Sequence, residues 1–130
     1  MKKVEVVAAI IKYENQLLCV QRPQSKLKYV SEKFEFPGGK IEPNETRKEA
    51  LKRELNEELN LDVIIGEYFM TVIHIYPDFE LTMHSFFVEV DSNEIKLNEH
   101  ISQKWLSSKE LLELDWAAAD LPIVDKLIKL

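Results

Sequence analysis

The chain has 130 residues, 45% of them hydrophobic, and a formal net charge of −6 at pH 7. This length predicts a single domain spanning residues 1–130, with enough apolar residues to build a core. The acidic balance argues against binding to a nucleic acid polymer, which requires a basic surface. No apolar run approaches the roughly eighteen residues that predict a membrane span. The one cysteine, Cys19, cannot form an internal disulfide, so we expect a reducing compartment, the cytoplasm.

The first 40 residues predict strands joined by a tight turn and a loop. β-branched residues dominate two segments that flank a Glu-Asn pair, which is the pattern of a β-hairpin. A polar segment and a Gly-Gly pair follow, and glycine there allows a positive φ as well as a close approach of the backbone to a ligand. The predicted elements are strands at Val4–Lys12, Gln16–Arg22 and Phe34–Phe36, a turn at Glu14–Asn15, a loop at Pro23–Lys33 and a turn at Gly38–Gly39.

A helix is predicted from Thr46 to Leu59, because Thr46 and Glu49 form a capping-box pattern at its start. The rest of the chain predicts a second hairpin, a further strand and two helical segments, the last with Asp120 as its N-cap. These elements are strands at Val63–Tyr76, Leu81–Val90 and Ser102–Leu106, and helices at Lys109–Glu113 and Leu121–Leu130. Their order predicts an α/β fold in which a mixed β-sheet lies between helices.

Three carboxylates lie close together on the first of these helices. At about 100° per residue, with Glu54 at zero, Glu57 lies near 300° and Glu58 near 40°, so the three side chains share one face. Like charges at these spacings destabilise a helix by roughly 0.2–0.5 kcal/mol per pair, and a divalent cation would reverse that effect. A solvated acidic face is the ordinary explanation of a charge run. This helix, however, already has a separate polar face (Lys48, Lys52, Asn56) and a separate apolar stripe (Leu51, Leu55, Leu59). The carboxylates therefore predict a metal site.

The segment from Gly39 to Leu61 resembles the Nudix box. That box reads Gly, five residues, Glu, seven residues, and then Arg-Glu-apolar-x-Glu-Glu-x-Gly-apolar. The matching residues are Gly39, Glu45, Arg53-Glu54-Leu55, Glu57-Glu58 and Leu61, all at the required spacing. Asn60 stands where the family has Gly. The position follows the predicted helix, and Asn is the next most tolerant residue in the left-handed conformation expected there.

The resemblance implies an α/β/α sandwich with a magnesium site. The implied ligands of Mg²⁺, with Mn²⁺ as a possible substitute, are the backbone carbonyl of Gly38 and the carboxylates of Glu54, Glu57 and Glu58. Glu54 and Glu57 are also candidate catalytic residues, with Glu54 a possible general base. Arg53 stays protonated, so it is expected to orient a glutamate, and Glu45 is its natural partner. Glu45 either stabilises the helix N-terminus or joins the metal shell, and both explanations remain open.

The chain also resembles the MutT-type subgroup over nearly its whole length, including the segment FEFPGGKIE at Phe34–Glu42. In that subgroup an acidic loop residue ahead of a tryptophan completes the metal site. Glu99, six residues before Trp105, has this place here. The subgroup implies nucleobase contacts from a hairpin residue and from the start of the last helix, which are Phe79 and Asp120. Arg22 and Lys40 are further candidates for substrate binding, as phosphate contacts.

Position 120 bears on the choice of nucleobase. In the MutT-type subgroup that this chain resembles, MutT itself has Asn at the matching place. The side-chain amide of Asn both donates and accepts, which suits an oxidised guanine. A carboxylate accepts from an exocyclic amine such as cytosine N4, and the pattern LDWxxADxP resembles the CTP pyrophosphohydrolase branch. A protonated Asp would imitate Asn if burial raised its pKa.

The expected function is that of a Mg²⁺-dependent nucleoside triphosphate pyrophosphohydrolase, acting on 8-oxo-dGTP or alternatively on CTP or a modified dCTP. Two further alternatives are a hydrolase of ADP-ribose-type nucleoside diphosphates and a non-catalytic Nudix domain that senses a nucleotide. Sensing domains typically lose box carboxylates, which this chain keeps. The expected partner is a small nucleotide, without a nucleic acid polymer or a membrane, and the protein is expected to be a monomer or a homodimer. The three histidines show no metal-ligand spacing and are expected to be ordinary strand or loop residues.

Overall fold

A mixed β-sheet of seven strands runs through the centre of the protein. The computed structural model describes residues 1–130. The strands are β1 (Lys2–Tyr13), β2 (Gln16–Gln21), β3 (Phe34–Glu35), β4 (Gly38–Lys40), β5 (Tyr68–Ile75), β6 (Phe79–Glu89) and β7 (Ser102–Leu106). The main path through the sheet is β3-β2-β1-β6-β5, with β4 paired to β1 and β7 paired to β2. β1 runs parallel to β6, and all other pairings are antiparallel.

Strand β1 supplies both faces of the sheet, because successive side chains of a strand point to opposite sides. Ala8 and Ile10 join the core beneath the last helix, α2 (Leu121–Ile128), while Val7, Ala9 and Ile11 join the core beneath the first helix, α1 (Arg47–Leu59). The sheet therefore lies between two helices, and the predicted α/β sandwich is confirmed. Neither α-helix is both long and apolar enough to cross a membrane.

Helix α1 begins and ends as its local sequence predicts. Thr46 is the N-cap, and its Oγ1 accepts from the Glu49 N–H at 3.1 Å while Glu49 Oε1 accepts from the Thr46 N–H at 2.8 Å. Asn60 follows the last turn in the left-handed conformation, with φ 56° and ψ 34°. The leucines of the apolar stripe are buried against the sheet. Both ends and the rotation of the helix are thus set by side chains within the segment.

The Gly-Gly pair is not the turn that the sequence predicts. Gly38 and Gly39 lie in β4, paired with Ala8 and Val7, and no glycine of the chain has a positive φ. The glycines matter instead because a Cβ would not fit: at Gly38 it would overlap the carbonyl oxygen of Val7. The prediction of close backbone approach holds, and the prediction of a turn was wrong.

Three further details differ from the prediction: the start of one strand, the side-chain cap of the last helix and the type of one short helix. The strand predicted from Val63 begins only at Tyr68; just before it, the backbone at Gly66 passes β6 at close range, where a Cβ would lie 2.6 Å from the Phe87 carbonyl oxygen. Asp120 makes no side-chain capping bond to α2. A short 3₁₀ turn, Ala118–Asp120, runs directly into the helix and already gives Asp120 a helical backbone. Asp120 is thus the N-cap residue of α2 by position, as predicted, but its side chain does not cap the helix. The helix predicted at Lys109–Glu113 is a 3₁₀ helix, Ser108–Glu113.

Candidate active site

The carboxylate of Glu54 rests on the backbone of β4. A Cβ on Gly39 would lie 2.6 Å from each oxygen of that carboxylate, so any side chain there would force Glu54 to move. Helix α1 supplies Glu54 from its third turn, and its side chain is 15% exposed. Gly38, one residue earlier, lines the neighbouring cavity. The glycine pair thus lets the acidic face of α1 approach the sheet edge directly.

Arg53 joins the start of the box to the carboxylates of the helix. Its Nε and Nη2 donate to the two oxygens of Glu45 at 2.7 and 2.9 Å, and Nη2 also donates to the carbonyl oxygen of Lys40 at 3.0 Å. Its Nη1 donates to Glu54 at 3.0 Å and to Glu57 at 3.4 Å. The predicted contact between Arg53 and Glu45 is present, and both oxygens of Glu45 are engaged by the guanidinium. Glu45 therefore acts here as the partner that orients Arg53.

The three carboxylates of α1 have different surroundings. Glu58 is buried close to Glu54, whereas the side chain of Glu57 is 57% exposed beside Arg53. Burial raises the pKa of Glu58 well above its usual range, and the nearby charges of Glu54, Glu35 and Glu99 add to that effect. No three His, Cys, Asp or Glu side chains form a metal-ligand set in these positions. Glu54 and Glu58 are brought together, and Glu57 lies at the rim.

The acidic cluster includes two further side chains that the sequence did not predict as site residues, His100 and Glu35. His100 is 4% exposed in its side chain, and its Nε2 lies 3.0 Å from Glu35 Oε2 and 3.7 Å from Glu58 Oε2. The other oxygen of Glu35 accepts from Arg22 Nη1 at 3.1 Å. His100 and Glu35 thus link Glu58 to Arg22. Glu35 could have been found from the sequence, because it lies between two phenylalanines and close to the Gly-Gly pair. Nothing in the sequence marked His100 as a site residue except its place directly after Glu99.

Glu99 lies in the loop between β6 and β7, as its distance from Trp105 predicts. Its side chain is exposed and makes no hydrogen bond or ion pair, yet it is close enough to raise the pKa of Glu58. The flanking residues are held more firmly: the backbone N–H of Asn98 donates to the Glu58 carbonyl at 2.9 Å, and His100 is buried beside Glu35. The loop therefore delivers Glu99 to the edge of the carboxylate cluster.

A cavity of about 520 Å³ shares Glu35 with the acidic cluster, although the carboxylates of α1 do not line it. The predicted substrate-binding residues Arg22, Lys40, Phe79 and Asp120 all line it, together with Glu35 and Phe36. Phe79 packs on Tyr76 with ring centroids 5.2 Å apart. Lys40 is exposed, and only its backbone takes part in the network of Arg53. The cavity brings together residues that are almost 100 positions apart in the sequence.

Asp120 is the buried polar residue of this cavity. Its Oδ1 accepts from the Phe36 N–H at 3.1 Å, and the residue is 5% exposed. Burial raises the pKa of Asp120 well above its ordinary value, the charge of Glu35 adds to the rise, and the Phe36 N–H and Arg22 oppose it. The carboxyl group can therefore hold a proton and act as a donor as well as an acceptor.

The comparisons with known proteins agree on one family. Residues 1–127 match the NUDIX domain. The chain is 35% identical to the CTP pyrophosphohydrolase of Escherichia coli (strain K12), covering 100% of this chain and 95% of that protein. It is 32% identical to the 8-oxo-dGTP diphosphatase of the same strain, covering 100% of both. A solution structure from methicillin-resistant Staphylococcus aureus 252, described as DNA mismatch repair protein MutT, shares 40% identity and a TM-score of 0.76, covering 99% of this chain and 98% of that one. With the box residues gathered around Glu54 and a domain match over almost its full length, the chain belongs to the Nudix hydrolase family.

Proposed function

We propose that this protein hydrolyses nucleoside triphosphates to nucleoside monophosphates and pyrophosphate, with 8-oxo-dGTP as its substrate. In that reaction one water molecule adds across a phosphoric anhydride bond; its oxygen forms the new P–O bond and the pyrophosphate leaves. The observation that carries the proposal is the acidic cluster of Glu54 and Glu58 beside a 520 Å³ cavity that contains a buried Asp120. The relative named 8-oxo-dGTP diphosphatase, aligned over the whole chain, supports the same substrate.

As a Nudix hydrolase the protein requires a divalent metal ion, and we propose Mg²⁺. The residues fit a hard cation because every candidate ligand is an oxygen: the carbonyl of Gly38 and the carboxylates of Glu54, Glu57, Glu58 and Glu99. The crowding of Glu58 by the charges of Glu54 and Glu99, which raises its pKa, supports this ligand set, since a bound cation would offset that repulsion. Bound Mg²⁺ would neutralise charge on the phosphate oxygens and acidify a water molecule.

The side chains of this chain would orient the substrate and remove the proton from the water. Glu54, held in position by Arg53 and Gly39, is the proposed general base. Arg22 lines the cavity, and its buried Nε has no hydrogen-bond partner in the protein, so its guanidinium is the proposed phosphate contact. Phe79 offers an aromatic face for stacking on the base.

The lone thiol, Cys19, is buried and unpaired, which supports a cytoplasmic protein.

A second candidate substrate is CTP or a modified dCTP. The carboxyl group of Asp120 favours it, because an ionised carboxylate accepts from the exocyclic amine of cytosine. The relative named CTP pyrophosphohydrolase, at 35% identity over the whole chain, supports it too. The two candidates differ in the proton on Asp120: a protonated carboxyl group imitates an amide and suits 8-oxoguanine, whereas an ionised one suits cytosine.

A substrate panel tests the proposed function. We expect kcat/KM, measured with Mg²⁺ over 8-oxo-dGTP, dGTP, CTP, 5-methyl-dCTP and ADP-ribose, to be highest for 8-oxo-dGTP, with pyrophosphate as product. Asp120→Asn should raise the ratio of 8-oxo-dGTP to CTP turnover, because the amide donates at every pH. A wild type that prefers the cytosine nucleotides would support the second candidate. Preference for ADP-ribose, or no hydrolysis of any compound, would contradict the proposal and favour the other Nudix activities.

Replacement of Glu57 tests the role of the carboxylates. Glu57→Gln is expected to lower kcat by about 10²- to 10³-fold, the usual effect of losing a group that stabilises the transition state. The fold should be intact, since Glu57 is exposed and has only a 3.4 Å contact with Arg53. Glu113→Gln is the matched control, an exposed glutamate without side-chain contacts in a remote 3₁₀ helix. Equal turnover in the two variants would remove Glu57 from the site.

A further inference from the structure

Asn60 does more than replace the glycine of the Nudix box. Glycine would satisfy the left-handed backbone at this position, with φ 56°, but it has no side chain. The Asn60 side chain reaches the loop between β6 and β7, where its Nδ2 donates to the Lys96 carbonyl at 3.2 Å and to Asn98 Oδ1 at 3.1 Å. These contacts join the end of α1 to residues 36 and 38 positions further along the chain.

Asn98, in the loop, in turn donates hydrogen bonds to the end of helix α1. Its Nδ2 donates to the Glu57 carbonyl at 2.6 Å, and its backbone N–H donates to the Glu58 carbonyl at 2.9 Å. The last carbonyls of a helix have no partner within the helix, so Asn98 satisfies two of them. These two carbonyls belong to residues whose carboxylates are proposed metal ligands. Asn60 and Asn98 together form what we call the loop clamp.

The loop clamp matters because Glu99 has no anchor of its own. Its side chain is exposed and without a hydrogen bond or ion pair, so its position depends on the residues beside it. On one side stands Asn98, bound to α1, and on the other side stands His100, buried beside Glu35. The clamp sets the distance between the loop and the helix that carries Glu58.

We propose that Asn60 and Asn98 are positioning residues that hold Glu99 at the metal site. The proposal rests on the proposed function, because it takes Glu99 as a ligand of the divalent ion. It assigns to Asn60 a task that the glycine of the family pattern does not perform. The clamp holds the Glu99 loop in place before the ion binds, so the free energy of ion binding is not reduced by the cost of ordering the loop.

The test is Asn60→Gly, which keeps the left-handed backbone and removes only the clamp's side-chain bonds. We expect the dissociation constant of Mn²⁺, measured by electron paramagnetic resonance without nucleotide, to rise by about 2- to 10-fold, the equivalent of one net hydrogen bond. Amide hydrogen exchange in the metal-free protein should be faster at Asn98, whose N–H is bonded to Glu58. It should be unchanged at Ile101, whose N–H is bonded to Gln21 in the neighbouring strand.

Two further variants separate positioning from general stability. Asn98→Ala should weaken Mn²⁺ binding as well, and the double variant should weaken it by less than the product of the single effects, because the two side chains share a bond. Asn56→Ala, at an exposed position of the same helix without a side-chain bond, should leave Mn²⁺ affinity unchanged. Wild-type Mn²⁺ affinity in Asn60→Gly would overturn the proposal, even if thermal stability changed. A wild type that binds no Mn²⁺ would instead overturn the proposed function, and with it the role of the clamp.

Discussion

Gly39 and Glu54 are in contact at the centre of the site, and the contact depends on a missing side chain. Because Gly39 has a negative φ, its value lies in the space it leaves and not in backbone freedom. The carboxylate of Glu54 fills that space and is held from the other side by Arg53 at 3.0 Å. For the proposed general base, such a fixed position matters more than a special environment.

Gly39→Ala is therefore expected to displace Glu54 and to lower kcat by about 10²-fold, the cost of a misplacement of about 1 Å. Gly66→Ala is the matched control, since a Cβ there would also collide, 2.6 Å from the Phe87 carbonyl, but far from the carboxylates. Steady-state kinetics corrected for folded protein should show the loss of turnover in Gly39→Ala alone. Similar losses in both variants would mean that general destabilisation explains the effect.

At the scale of elements, Arg53 ties helix α1 to the segment that precedes it. Its guanidinium binds both oxygens of Glu45 and the carbonyl of Lys40, which belongs to β4. The hydrogen bonds from Arg53, followed by one from the Glu42 N–H, lower the pKa of Glu45 from 4.5 to about 2. The ion pair thus holds the end of β4, the loop and the helix in one arrangement.

This lowered pKa makes stability depend on pH in acid. Glu45 binds its proton more weakly in the folded protein, so its contribution to stability is complete above about pH 4.5 and is lost as the pH falls towards 2. Glu45→Gln should therefore reduce the decline in the free energy of unfolding over that interval, measured by urea denaturation at several pH values. Glu113→Gln should leave the decline as in the wild type. An identical pH dependence in Glu45→Gln would show that the ion pair does not contribute.

At the scale of the whole molecule, the cavity is enclosed by segments from distant parts of the chain. Tyr29, in the loop between β2 and β3, stacks on Tyr76 with ring centroids 4.9 Å apart and donates its hydroxyl to Asp78 at 2.5 Å. The hydroxyl of Tyr76 in turn accepts from the Ala119 N–H at 3.0 Å, beside Asp120. The loop, the hairpin and the 3₁₀ turn before the last helix thus form one wall of the cavity, where the proposed function places the nucleobase.

Tyr29→Phe is expected to keep the ring stack and to lose the bond to Asp78. Because this bond holds the loop against the hairpin, KM for the preferred nucleotide should rise by about 2- to 10-fold, the equivalent of one net hydrogen bond. The carboxylates are untouched, so kcat should change little. Tyr13→Phe is the control: Tyr13 packs on Trp105, and its hydroxyl makes no hydrogen bond. An unchanged KM in Tyr29→Phe would separate this wall from substrate binding.

Short-range sequence patterns predicted the helices and strands well but predicted the contacts between them poorly. The capping box at Thr46, the left-handed Asn60 and the hairpin at Glu14 follow from interactions within a few residues, and all three are present. Asp120 has the predicted N-cap position, but its side chain does not cap the helix, because it accepts instead from the distant N–H of Phe36. Local chemistry cannot register a partner 84 positions away.

The same distinction runs through the site. The box carboxylates could be read from the chain because one helix carries them, and helical periodicity places their side chains on a common face. Their unequal surroundings, with Glu58 buried and Glu57 exposed, come from the loop and the strands packed around the helix. Glu35, His100 and the loop clamp appear only in the folded chain. The reaction class therefore follows from a periodic local pattern, whereas the raised pKa of Asp120 and the place of Glu99 depend on burial and on contacts between distant segments.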